Sequence, residues 1–362
     1  DSTLVSQRSL TVEVKNPTGT QRQQVVELCA ADIFKRLGIS GGRQFVVKNS
    51  IGNEIPSQLT HDGKILVEIA VAPSSSATIT IATGLPKSYV NTCYGRMYPE
   101  RVDDIAWEND RGAYRCYGPA LQASGEQAFG NDVWVKNTPD LVVESRYHNE
   151  LVNKLSYHVD RGYGLDCYKV GPTLGCGTPA IIEGDNIRFP YCWTAYEILD
   201  NGPLRFTVRL DYGANGEHRI MSLDKGSNFN KMTVWYDAIT TPVDVASGVV
   251  IHTEDTESVV LGKDYVQYAD PTDNPKAQNF QIYVAAIFPD GVDATRKVMY
   301  QNPVRGNAGH ALGIKKGLQP NEKFTYYFGS SWSKYDCRNQ KEWQMRIDNF
   351  KLALAQPLEI IL

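Results

Sequence analysis

Short segments of alternating apolar and polar residues, cut by turn signals, recur along most of this 362-residue chain, and they constrain the fold more than any other feature. SLTVEVKN alternates and ends in an Asn-Pro turn signal, and SATITIATG alternates Ala/Thr with Ile. QQVVELCAADI, RQFVVKN and KILVEIAV lie between them, separated by clusters such as SIGNEIP and THDGK. The pattern resumes after about residue 105 with DVWVKN, LRFTVRLDY, MTVWYDAI, FQIYVAAIFP and KFTYYFGSSW. More strands than an open sheet tolerates must divide into packed layers. The sequence therefore predicts an all-β protein: a small N-terminal β-sandwich over residues 1–90, then a large antiparallel supersandwich over 91–362. Two segments read as helix. TPDLVVESRYHNELV has a Thr-Pro start, and NQKEWQMRIDNFKLALAQ repeats Trp343, Ile347, Phe350 and Leu354 at helical spacing.

Composition narrows the partners. The net charge is −4 with no block of like charge, so nucleic acid is not expected as the main partner. Two or three local cations would still suffice for an anionic sugar. No run of about 18 apolar residues predicts a transmembrane segment, and the opening DSTLVSQRSL does not read as a signal peptide. The seven cysteines form no CxxC pair and no zinc spacing, and they read better as small buried hydrophobes than as a disulfide framework. No calcium loop, phosphate loop, GxSxG or HExxH is present, and neither cofactor nor metal is expected.

Two blocks concentrate titratable and aromatic side chains. The first is RVDDIAWENDRGAYRCYGPA, residues 101–120. Gly112, Gly118, Pro119 and the β-rich AYRCYG argue against a helix. Read as one strand, it places Trp107, Asn109, Arg111, Ala113, Arg115 and Tyr117 on one face, with Gly112, Tyr114 and Cys116 on the core side. A salt-bridged surface and a ligand wall explain Arg111 and Arg115 equally well on pattern alone. The second block, YHVDRGYGLDCYKVGPTLGCG, brings His158, Arg161, Tyr163, Asp166 and Lys169 into one loop-rich stretch. Such a set can grip and protonate a polar ring. Trp193 is a candidate for stacking on a sugar, with a buried tryptophan as the alternative. His310, after a glycine-rich loop, is the best partner for His158 if two histidines act.

These two blocks resemble the signature of an uncharacterised family of secreted bacterial proteins from polysaccharide-utilisation gene clusters. DNGPLRFTVRLDY, SLDKGSNFNKMTVWY and FTYYFGSSWSKYD look like strands of the broader galactose-mutarotase-like supersandwich superfamily. The resemblance implies a periplasmic or secreted setting and an oligosaccharide or polysaccharide ligand, but no known reaction. Three classes stay open, with a lyase favoured over the other two. A lyase on a uronate-containing chain would use His158 or Tyr163 for proton transfer, with Arg161, Lys169, Arg111 and Arg115 around the carboxylate. A hydrolase would use two carboxyls from Asp103, Asp104, Glu108, Asp110 and Asp166, and a mutarotase or epimerase His158 with Asp166 or Glu108. A sugar-binding protein would need only the aromatic and arginine contacts.

Overall fold

The computed structural model of the protein describes residues 8–41, 44–273 and 279–362. The fold is all-β and built from antiparallel ladders in five sheets. A five-stranded sheet (Ser9–Lys15, Phe45–Asn49, Glu54–Ile55, Ser76–Thr83 and the closing Glu359–Ile361) faces a three-stranded one (Arg22–Cys29, Ser57–Leu59, Lys64–Val71). Alternation does the sorting: Val12 and Val14 are fully buried while Thr11 and Lys15 face water. Val47, Ile65, Val67, Ile79 and Ile81 complete this small core. The strand expected to run through QQVVELCAADI stops at Cys29, and Ala30–Leu37 forms helix α1. Ala30, Ile33, Phe34 and Leu37 recur at three and four residues, and their shared apolar face closes one end of the sandwich.

The larger body has an eight-stranded sheet running in the order Trp193–Asn201, Arg205–Tyr212, Glu217–Asp224, Phe229–Tyr236, Phe324–Trp332, Ile282–Ile287, Tyr265–Asp270 and Val259–Leu261. Two five-stranded sheets lie against it. One is built on Tyr94–Tyr98, Asp104–Glu108, Ala113–Cys116, Asp132–Lys136 and Gly164–Leu165. The other is built on Asn186–Arg188, Ala180–Glu183, Val243–His252, Asn307–Leu318 and Ala294–Val304. Single bridges, Asn131 to Gly175 and Cys176 to Val249, join these two sheets into one layer. A continuous core fills the space between layers, with Trp107, Tyr114 and Val133 from the first sheet, Val245 and Val249 from the second, and Phe206, Met232, Val284 and Phe328 from the eight-stranded one. All seven cysteines are free, five of them buried. No helix among the described residues is long and apolar enough to cross a membrane.

Side chains tie the two sandwiches together. The Gln58 amide donates to the Arg205 carbonyl at 2.9 Å and accepts from the Leu204 and Arg205 amides. His61 Nδ1 sits 2.7 Å from the buried carboxylate of Asp200. Of three further helices, Pro119–Ala123 (α2), Val143–Leu151 (α3) and Gln340–Ala355 (α4), α3 covers the first five-stranded sheet and α4 the eight-stranded one. Asn339 caps α4 by accepting from the Glu342 amide at 2.9 Å. Its apolar face buries Trp343 and Ile347 completely. The indole stacks on Phe229 at 5.2 Å, and its Nε1 donates to the Val284 carbonyl at 3.2 Å. Trp343→Ala should therefore cost about 3–5 kcal/mol, measured by chemical denaturation. Unchanged stability would mean that α4 is not docked as described.

Candidate functional site

The first polar block is a hairpin, where a single strand was expected. Asp104–Glu108 and Ala113–Cys116 pair with each other, and residues 109–112 make the turn. The Asn109 side chain accepts from the amides of Arg111 and Gly112 at 2.8 and 3.1 Å, a local turn that Asn and Gly favour. Folding back changes the faces. Trp107 lies opposite Tyr114, both point into the main core, and Trp107 Nε1 donates to Asn230 at 2.8 Å. Trp107 thus has no access to a ligand. Asp104, Ala106, Glu108, Ala113 and Arg115 share the outer face, joined by Asp132, Trp134 and Lys136 of the next strand.

Arg115 was expected on a wet face and is buried instead. Its Nε donates to Asp132 Oδ2 at 2.5 Å, and its Nη2 donates to Asp166 Oδ2. The guanidinium also lies 5.2 Å from the rings of Tyr117 and Trp134 and 5.5 Å from Tyr157. Tyr117 donates to Asp132 at 3.2 Å, and Tyr147 donates to Asp104 at 3.3 Å. Three buried carboxyls thus share one buried cation, with Arg101 at the edge on the Tyr157 hydroxyl. Burial is the main cause of the two carboxyl shifts. It pushes Asp104 up to about 6 against the pull of Arg115 and Arg101, and Asp132 up to about 8 with help from neighbouring Asp166. The Arg115 guanidinium is held well above its usual value by the acids despite burial. Asp104 Oδ1 and Arg115 Nη1 have no partner among the described residues.

The backbone supports this set closely. Val102 and Asp103 both take left-handed angles, φ 47° and 65°, immediately before Asp104. A β-branched residue is strained there, by about 1–3 kcal/mol. Gly118 is required beside them, because a Cβ would strike the Asp103 carbonyl. Helix α3 lies over the middle of the sheet, packing Val143 and Tyr147 on Ala106, Ala113 and Trp134. Glu108 accepts from the Val142 and Val143 amides at 2.6 and 3.2 Å at the start of that helix.

His158 stands at the rim. Its side chain is 52% exposed, and its Nδ1 lies 3.0 Å from the Asp166 carbonyl and 3.7 Å from Asp166 Oδ2. A carbonyl only accepts, so Nδ1 carries the proton and Nε2 of the neutral ring keeps its lone pair. The Tyr157 ring, 4.7 Å away, backs the imidazole. The loop that carries His158 is pinned by Asp160, which accepts from the Gly162 and Gly164 amides and pairs with Lys334 at 2.5 Å.

The structure thus brings Arg115, His158 and Asp166 together and distributes the other candidates. Arg161 is exposed on the His158 loop, its Nε 3.3 Å from the Ser156 carbonyl. Tyr163 is half-buried under the Arg146 guanidinium at 5.2 Å. Arg111 points away from Arg115, toward the Gly226 carbonyl at 3.4 Å. Lys169 Nζ sits on the Arg305 carbonyl. Trp193 is buried in the main core, so stacking on a sugar gives way to the packing alternative. His310 is no partner for His158: it is fully buried, and its Nε2 accepts from the Leu174 amide at 3.1 Å. Burial drops it to about 3, aided by the nearby charge of His252, which is paired with Asp270 at 2.9 Å. Asp132 and Tyr147 join the site although sequence reasoning passed them over, and Tyr117 joins it from the face the strand pattern shares with Arg115. The alternation of DVWVK carried a signal, since it puts Asp132 and Lys136 on one face with Trp134. Among the described residues, no group of three or more His, Cys, Asp or Glu side chains is placed to hold a metal ion.

Fold and site define a two-sandwich β-protein with an enclosed acid–arginine cluster on the outer face of its second body. The chain belongs to the family described as Domain of unknown function (DUF4861), whose model matches residues 14–360. It is similar to "Uncharacterized protein P7" of Formosa agariphila, 28% identical over 287 residues, covering 74% of this chain and 69% of that protein. Among solved structures it resembles a protein in the glycosyl hydrolase family 38 from Enterococcus faecalis, with TM-score 0.51 and 8% identity over 98% of this chain and 47% of that one. An alpha-mannosidase from Enterococcus faecalis V583 gives TM-score 0.44 and 9% identity over 98% and 46%. The chain spans about half the length of these two structures, and the first likeness is one of fold.

The raised carboxyls make a testable statement about pH. Between the ordinary value of 3.8 and about 6, folded Asp104 holds a proton that the unfolded chain has lost. Stability must then fall as pH rises through that window. Asp104→Asn removes the effect, so across the window the native protein should lose up to about 3 kcal/mol relative to the variant. Denaturation curves that shift in parallel for both proteins would contradict the assignment.

Proposed function

We propose that this chain is a carbohydrate-active protein that moves protons on a glycan, with His158 as the acid–base group. The observation that carries the reading is the line from the exposed imidazole to Asp166 and on to Arg115 and Asp132. The Asp166 carbonyl fixes the tautomer. Its carboxylate, 3.7 Å from Nδ1, lies on the same side of the ring and leaves Nε2 as the atom that takes or gives a proton. Arg115 keeps that carboxylate from turning away. The raised Asp104 and Asp132 are 1% and 0% exposed, so they set the charge around Arg115 and Asp166 and touch no sugar themselves. The likeness in fold to a glycosyl hydrolase family 38 protein agrees with a sugar as ligand, and a periplasmic or secreted setting goes with it.

Hydrolysis or epimerisation fits the geometry better than elimination. A lyase needs a free cation beside the uronate carboxylate, and Arg115 is already committed to two aspartates. Elimination stays as the second reading because Arg161 is exposed on the same loop as His158 and has no acid within ion-pair distance among the described residues.

The test is a panel of neutral and uronate-containing glycans, followed for new reducing ends, for a change in anomeric configuration and for unsaturated-uronate absorbance. Turnover should occur, and His158→Ala should lower it by about 10²–10⁴-fold with thermal stability unchanged. Full activity in the variant, or no product of any kind across the panel, would overturn the proposal.

A further inference from the structure

A groove of about 750 Å³ runs between the N-terminal sandwich and the larger body, away from the Arg115 cluster. Six cationic residues line it, Arg22, Arg111, Arg205, Lys225, Lys231 and Arg346, against two acidic ones, Glu27 and Asp224. The chain as a whole carries a net charge of −4, so this concentration of positive charge runs against its background. Arg205 is neutralised by Asp224 and Glu27 at 2.6 and 2.9 Å, and Lys225 by Glu68 at 3.0 Å. The other four have no carboxylate within ion-pair distance among the described residues. Arg22 donates to the Gln356 and Ala353 carbonyls and to the Gln24 side chain. Arg346 donates to Asn228 Oδ1 and the Asp336 carbonyl, and Arg111 to the Gly226 carbonyl. Arg22 is 7% exposed, and the loss of water around it lowers its pKa. Its donors are already taken, so it lends the wall its charge rather than a free fork. Concave walls also focus the field of all four.

We infer that this groove binds an anionic polysaccharide through its carboxylate or sulfate groups. Arginine forks suit either anion in a bidentate contact. The Ser222 and Asn349 side chains on the same walls suit the sugar hydroxyls between the charges. The glycan reading guides only the choice of probe, because binding here needs neither His158 nor turnover. Arg111 and Lys231 are the residues to change, since neither has an acid partner to lose among the described residues and Lys231 is exposed.

The experiment is affinity electrophoresis of the whole chain in gels holding polygalacturonate, dextran sulfate or neutral dextran, at low and high salt. The native protein should be retarded by polygalacturonate, by dextran sulfate or by both, but not by dextran, and the effect should weaken with salt. Retardation by only one of the two identifies the preferred anion. Arg111→Glu and Lys231→Glu should each weaken binding by about tenfold or more. Lys316→Glu, the same charge change on an exposed strand position outside the groove, should leave it unaltered. No retardation by either polyanion would overturn the inference. So would an equal loss for Lys316→Glu, or none for both groove variants. Loss of glycan turnover without loss of retardation would count against the function proposed above and leave the groove standing.

Discussion

The buried guanidinium of Arg115 is the contact on which the outer face of this protein depends. It lies within hydrogen-bond reach of carboxylates from two other pieces of chain, Asp132 on the adjoining strand and Asp166 at the end of the His158 loop. Burying a cation is costly unless acids surround it, and removing one partner leaves another buried charge exposed to that cost. The hairpin, the adjoining strand and the loop are therefore held in register by one charge. The aromatic rings of Tyr117, Trp134 and Tyr157 around it exclude water and strengthen each remaining polar contact. The strain at Val102 and Asp103 sits at the edge of the same set, where the surrounding packing can hold it.

The turn at 109–112 separates two arginines that are four residues apart. Had the segment been one strand, Arg111 and Arg115 would have shared a wall. With the chain folded back, Arg111 looks to the junction of the sandwiches and Arg115 to the outer face of the sheet. A single hairpin thus supplies a residue to an open basic groove and another to an enclosed acid cluster. The two places suit different tasks. Open, uncompensated charge favours capture of a polyanion, and enclosed, compensated charge favours proton transfer.

Much of the fold was legible in the sequence because period-two alternation survives wherever one face of a strand is buried. SLTVEVK and SATITIAT are strands, as their patterns predict. The errors have identifiable causes. NDRG carried an Asn, an Asp and a Gly, all turn formers, yet the flanking aromatics made the segment look continuous, and this moved Trp107 to the wrong face. Ala30, Ile33, Phe34 and Leu37 had helical spacing, but the preceding strand masked the change of period. Asp132 was harder to find. Its importance comes from lying directly opposite Arg115, and cross-strand register is a long-range property that a local pattern does not contain. His310 failed as a site residue for a similar reason, because its burial is decided by segments distant in the chain.

The claim that matters most is that His158, oriented by Asp166 and Arg115, faces the reacting sugar. A crystal structure of the protein soaked with neutral and uronate-containing oligosaccharides addresses it directly. The account predicts a sugar seated over the rim where Arg101 and His158 flank Tyr157, with an oxygen or acidic C–H within hydrogen-bond reach of His158 Nε2. A sugar bound elsewhere, with that imidazole still facing only solvent, would contradict it.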